Sequence, residues 1–88
     1  MKITEIKEKI SENKNFELRD VEYKSEADKK KFGTSFEALC KKNYQFIKVN
    51  GLTFKTRRII EEFGFILFLY NGTQIEAIPE DIISIELL

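Results

Sequence analysis

Two Asn-Gly dipeptides, Asn50-Gly51 and Asn71-Gly72, each sit between runs rich in apolar and β-forming residues. A two-residue hairpin loop favours the type I′ turn, whose twist matches that of the strands it joins. That turn needs positive φ at both central residues, which Asn tolerates and Gly adopts without a Cβ clash. Each dipeptide therefore predicts a hairpin, and a two-residue loop also fixes its register. In the first, Val49 faces Leu52, Ile47 faces Phe54 and Gln45 faces Thr56. Its other face pairs Lys48 with Thr53, Phe46 with Lys55 and Tyr44 with Arg57. In the second, Tyr70 faces Thr73, Phe68 faces Ile75 and Ile66 faces Ala77. The remaining face holds Phe65, Leu67, Leu69 and Ile78 beside Gln74 and Glu76. The strand Phe65–Tyr70 is thus apolar on both sides, which predicts cover on both faces or a helix over the outer one.

Downstream, Pro79-Glu80-Asp81-Ile82 reads as one tight turn that returns an alternating strand, Ile83–Leu87, to the sheet. The expected core is Ile47, Val49, Leu52, Phe54, Ile66, Phe68, Ile75, Ile83 and Ile85. Upstream, Ile3, Ile6 and Ile10 lie at helical spacing among charged residues, an amphipathic helix over about residues 3–13. Phe16–Tyr23 alternates with a parity change that a bulge near Asp20 would reconcile. Ser25 with Asp28 reads as a capping box, with Gly33 as the stop. Thr34 with Glu37 reads as a second, placing Phe36, Leu39 and Cys40 on one face of a short helix. Arg58–Glu62 extends a strand or makes one helical turn, with a kink at Gly64.

These elements give an α+β class in a single domain, residues 1–88. Residues 1–43 form a mainly helical cover with one strand, and residues 44–88 a five-strand antiparallel β-meander. Five strands with two tight turns and a one-turn helix before the last resemble an SH3-like small barrel, which implies a closed sheet without exposed edges. An open antiparallel sheet with helices on one face is the alternative.

Formal net charge is zero, but the charge is segregated. Residues 24–58 hold ten basic and three acidic residues, a balance of +7. Residues 59–88 hold six acidic and no basic residues, a balance of −6. Such segregation produces a two-faced surface. The absence of His and the single Cys40 leave no ligand set for structural zinc and no Cys-His or Ser-His pair for nucleophilic catalysis. Four separated glycines make no phosphate-cradling loop. Glu61-Glu62 and Glu80-Asp81 are neighbouring carboxylates, but neighbours in a strand point to opposite faces, so they are expected to be solvated surface. Cys40 is expected in the core. The composition therefore points to no enzyme and no cofactor. No run approaches the roughly 20 apolar residues needed to span a bilayer. The Met1-Lys2-Ile3 start leads into alternating charge, unlike a signal peptide. With a lone cysteine, this suggests a cytoplasmic protein.

The distinctive constellation is Tyr44, Phe46, Lys48, Lys55 and Arg57, which the register places on one face of the first hairpin. Rings with cations suit protein hot spots, and they suit unpaired bases with phosphates. A helix packed over Tyr44 and Phe46 would instead make them core. The expected function is a small protein-interaction module, with another protein as its partner. Twelve Lys against three Arg reflects an AT-rich coding sequence of the kind common among low-GC bacteria and their phages, which suggests a phage or mobile-element modulator of a host protein. The alternatives are an RNA- or single-stranded nucleic-acid-binding module using the same face, and a structural subunit.

Overall fold

A computed structural model describes all residues, Met1–Leu88. The chain is α+β, with two helices and eight strands in antiparallel sheets. Helix α1 (Ile3–Ser11) and strand β1 (Phe16–Val21) are followed by α2 (Glu26–Phe32) and β2 (Ser35–Cys40). Then come β3 (Gln45–Val49), β4 (Leu52–Thr56), β5 (Arg58–Glu62), β6 (Phe65–Tyr70) and β7 (Thr73–Ala77). A 3-10 turn (Pro79–Asp81) precedes β8 (Ile85–Leu87). Five strands pair in the order β1-β2-β5-β6-β7, and three in the order β4-β3-β8. No helix is long and apolar enough to cross a membrane.

Both Asn-Gly turns form with the expected registers. Asn50 and Gly51 have φ of 50° and 84°, and Asn71 and Gly72 have 44° and 79°. A third two-residue turn, Phe63-Gly64, joins β5 to β6 with φ of 50° and 85°. Phe in the left-handed region is strained by about 1–2 kcal/mol. Tertiary contacts hold it there: its N–H donates to the Tyr23 hydroxyl at 2.9 Å, and its ring packs 5.3 Å from Tyr23 and 5.5 Å from Phe32.

The meander of residues 44–88 is not one sheet, and the sheets do not close into a barrel. After β4 the chain leaves the small sheet and enters the large one as β5. Thr56 is fully buried at this crossover, its hydroxyl 3.3 Å from the carbonyls of Leu69 and Arg58. Arg57 N–H donates to Leu69 C=O, and Arg57 C=O accepts from Cys40 N–H, both at 2.8 Å. The backbone of one residue thus joins two strands of the large sheet. The expected Tyr44–Arg57 pair does not form, because the β3–β4 ladder ends at Gln45 and Thr56.

Residues 35–40 are a strand, not the expected helix. Phe36, Ala38 and Cys40 alternate inward, and pairing with β1 on one side and β5 on the other overrides the helical spacing of Phe36, Leu39 and Cys40. Glu37 makes no cap; it pairs with Arg58 and Arg19 across the outer face. Strand β1 needs no bulge: its register with β2 is continuous, and Tyr23 reaches the interior from beyond the strand end. Ser25 does cap α2, accepting from Asp28 N–H, and Gly33 ends it at φ 73°.

The core lies between the two sheets, and Ile6 and Ile10 of α1 complete it. Of the expected core, Ile47, Val49, Ile66, Phe68 and Ile85 are buried, and Phe54 packs against them. Leu52 and Ile75 are not, because β4 and β7 are edge strands at the margins of their sheets. Ile83 is 86% exposed, since the turn seats Ile82 inside instead. The outer face of β6 carries no helix; Leu67 and Leu69 are half-buried, and Phe65 is exposed.

Candidate functional site

The type I′ turn at Asn50-Gly51 fixes the β3–β4 register, and so sends Phe46, Lys48 and Lys55 to the outer side of the small sheet. Tyr44 enters the same side just before β3. Its ring meets Phe46 edge-on at 5.4 Å. A third ring comes from the other sheet: Tyr70, at the end of β6, meets Tyr44 edge-on at 5.7 Å. The Lys55 ammonium sits 4.6 Å from the centre of the Tyr44 ring, 5.8 Å from Tyr70 and 6.0 Å from Phe46. Edge-to-face pairs contribute about 0.5–1.5 kcal/mol each and an exposed cation–π contact about 0.5–1 kcal/mol. The rings are therefore ordered before any partner arrives.

Neither helix covers this cluster. Phe46 is 43% exposed, and Lys48, Lys55 and Arg57 are exposed. Tyr44, Phe46 and Lys55 are brought together as the register requires. Lys48 shares the face but stands apart from the rings, across from Thr53 on one side and Glu86 on the other, without an ion pair. Arg57 lies in the crossover, and its guanidinium makes no ring contact or ion pair. Tyr70 was not foreseen: the hairpin register assigns it only a partner on β7, and its approach to Tyr44 exists because β4 crosses beside β6. A depression of about 350 Å³ lies on one side of the rings, between Lys42, Tyr44, Phe46 and Leu88. Another of about 230 Å³ lies on the other, among Phe54, Lys55, Tyr70 and Ile75.

A second polar constellation is internal. Glu61 is fully buried, contrary to the solvated surface expected of it, while Glu62 points outward. Strand alternation puts it on the core face with Ile59, beside its buried cross-strand neighbours Phe36 and Ile66. Its carboxylate accepts from Gly64 N–H at 3.1 Å and from the Tyr23 hydroxyl at 3.4 Å, and Ser35 donates to its backbone carbonyl. Burial pushes the Glu61 carboxyl above its ordinary value, and pushes the Tyr23 hydroxyl up as well. These partners clamp the Phe63-Gly64 turn, so the group has a structural role. The opposite shift occurs at Glu37, where the Arg58 hydrogen bond holds the carboxyl below its ordinary value.

The two shifts act on opposite sides of the ordinary carboxylate pKa, about 4.3. Raised in the fold, Glu61 binds its proton more tightly there, so its contribution to stability falls as pH rises from that value through its folded pKa. Glu37 contributes stability above its unfolded pKa that is lost as pH falls through its folded one. Urea midpoints of Glu61→Gln and wild type across pH should therefore diverge, the wild type losing relative stability as pH rises above the ordinary carboxylate range. A constant difference across that range would show that Glu61 is solvated.

No group of three or more His, Cys, Asp or Glu side chains is placed to hold a metal ion. Comparisons with protein-family models, with curated proteins and with solved structures found no match to this chain.

Proposed function

We propose that this chain is a small protein-binding domain that acts by contact rather than by catalysis, with the outer face of the small sheet as its docking surface. The observation that carries this reading is the pre-ordered cluster of Tyr44, Phe46 and Tyr70 around Lys55, in which Phe46 and Lys55 are exposed and the two tyrosines half-buried. Aromatic side chains and cations dominate protein hot spots, and rings already held in place lose little entropy on binding. A mixed depression beside Tyr44 and Phe46 and a mainly apolar one beside Tyr70 give a partner's side chains somewhere to go. Lys42 and Lys55 line these depressions, and the exposed Lys48 shares the face, so a partner segment that carries carboxylates beside its apolar residues is favoured. A modulator of a host protein is the form such a module takes in a phage or mobile element.

Single-stranded nucleic acid is the second reading, supported by the same rings and cations. Base stacking needs open ring faces, however, and here the Tyr44 face holds the Lys55 ammonium while the rings meet edge-on. The triple variant Lys48→Glu, Lys55→Glu, Arg57→Glu separates the readings. It should fold, because all three side chains are exposed, at a cost of about 1–2 kcal/mol that comes chiefly from the lost ring contacts of Lys55. Neither protein should bind oligonucleotides measurably at physiological salt. Wild-type binding that weakens steeply with salt, with a flatter slope in the variant, would instead establish the nucleic-acid reading.

A further inference from the structure

The turns at Phe63-Gly64 and Asn71-Gly72 decide which backbone groups of the large sheet are paired. A two-residue hairpin closes on a hydrogen-bonded pair, here Glu62 with Phe65 and Tyr70 with Thr73, and such pairs then alternate along each ladder. On β6, Phe65, Leu67 and Leu69 therefore bond toward β5, and Ile66, Phe68 and Tyr70 toward β7. The Leu69 carbonyl obeys this, accepting from Arg57 N–H at 2.8 Å. On β7, Thr73, Ile75 and Ala77 bond to β6. The N–H and C=O groups of Gln74 and Glu76 point off the sheet, because β7 is its last strand. No loop backbone takes them up.

Edge strands are normally defended by brevity, by lysine or proline, by a bulge, or by a covering element. Three of the four sheet edges here are defended. Strand β8 has only three residues. Strand β4 carries Lys55 and lies beside β6. Strand β1 carries Glu17, Arg19 and Asp20, with α1 against it and Lys7 paired to Asp20. Strand β7 has none of these devices. Its five residues include no Lys or Pro, run in unbroken register with β6, and are exposed from Thr73 to Glu76. Ile75, 39% exposed, rims a depression that it shares with Phe54 and Phe68. An open edge of this kind is where an extended chain adds to a sheet.

Charge identifies the occupant. Glu76 stands on the outer side of β7, and Glu80 and Asp81 lie in the turn that follows. All three are exposed, none is in an ion pair, and residues 59–88 hold no Lys or Arg. A second copy of β7 would bring the same carboxylates to the edge. A strand with cations beside Gln74 and Glu76 neutralises them instead. Its alternate residues, beside Ile75, fall on the side of Phe54 and Phe68 and are apolar. We infer that the free edge of β7 is a second docking site, distinct from the Tyr44–Phe46 face, which takes an extended partner segment of alternating apolar and basic residues as an added strand of the large sheet.

The probe is a synthetic peptide with blocked ends, Lys-Val-Lys-Ile-Lys-Val-Lys, titrated into isotope-labelled protein. The amide resonances of Gln74, Ile75 and Glu76 should shift saturably, with half-saturation below about 1 mM. The Gln74 and Glu76 amides should gain protection from hydrogen exchange. The counterpart peptide with Glu for every Lys should bind at these amides at least about threefold more weakly. Glu76→Pro removes an outward N–H where an edge strand tolerates proline, and should weaken the basic peptide at least about tenfold. Should that variant fail to fold, exposed Glu76→Lys decides the matter by losing the preference for the basic peptide. No shift at these amides with about 5 mM peptide, equal binding of the two peptides, or undiminished binding by folded Glu76→Pro would overturn the inference. So would the same shifts on raising the protein concentration alone, which would put a second copy on the edge.

Discussion

Truncating Phe68 to Ala is expected to lower the unfolding free energy by about 3–5 kcal/mol. Phe68 sits in the middle of β6, is 2% exposed, and meets the Phe54 ring edge-on at 5.3 Å. Phe54 belongs to the small sheet, so this contact is one of those that hold the two sheets together. A chain of this length has a total stability of roughly 4–13 kcal/mol. One residue therefore carries a large share of it. Equilibrium urea unfolding should show a much lower midpoint with an unchanged slope. Leu52→Ala, at a position 72% exposed, should stay within about 0.5 kcal/mol of wild type. A Phe68→Ala loss near that of Leu52→Ala would mean the sheets do not meet as described.

The second large effect is expected at Asn50, an exposed turn residue whose type suggests little more than loop chemistry. Its carboxamide oxygen accepts from Ile83 N–H at 2.7 Å and Ser84 N–H at 3.2 Å, and its amide donates to Asp81 C=O at 2.8 Å. The tip of the first hairpin thereby anchors the segment that leads into β8. At about 0.5–1.5 kcal/mol per hydrogen bond, discounted for exposure, the clamp contributes about 1–3 kcal/mol. Ala at φ 50° adds about 1 kcal/mol of left-handed strain. Asn50→Ala should therefore cost about 2–4 kcal/mol. Asn50→Gly keeps the turn and loses only the clamp, so it should cost about 1 kcal/mol less. Asn71→Ala, whose side chain bonds to nothing, should cost only the strain, about 1 kcal/mol. Equal losses at Asn50 and Asn71 would show that the clamp contributes nothing.

That contrast shows what was legible in the sequence. Asn-Gly between β-forming runs is a local signal with a stereochemical cause, and both hairpins formed with the expected registers. The outward placement of Phe46, Lys48 and Lys55 follows from that register alone. The helix of Ile3, Ile6 and Ile10 was legible on separate grounds, because its stripe has the α-helical period. The chemistry that joins the two Asn-Gly elements to the rest is not local. Asn50 and Asn71 are indistinguishable in sequence, yet only one finds partners, because the Pro79–Asp81 turn brings Ile83 beside it.

The failures share this origin. Phe63-Gly64 is a poor turn signal, since Phe resists positive φ; Tyr23, Phe32 and Glu61 hold it, and two of those come from more than 30 residues away. Phe36, Leu39 and Cys40 satisfy a helical spacing as well as Phe36, Ala38 and Cys40 satisfy a strand spacing. The neighbours β1 and β5 decide between them. Glu61 looks solvated beside Glu62 until its face is known to be the one that Ile59, Phe36 and Ile66 share in the core. Tyr70 joins the ring cluster only because the chain changes sheets at Thr56 and Arg57, and nothing in the local pattern marks a change of sheet.

The proposed docking role of the Tyr44–Phe46–Tyr70–Lys55 face is tested most directly by affinity capture from cells that express the protein. Wild type and the double variant Phe46→Ala, Lys55→Glu should be run side by side, with and without nuclease. Both should be folded, since the two side chains are exposed. Wild type should retain a defined protein in near-stoichiometric amount after nuclease treatment, and the double variant should lose it. Recovery that disappears with nuclease, or a folded double variant that keeps the same protein in the same amount, would contradict the docking role.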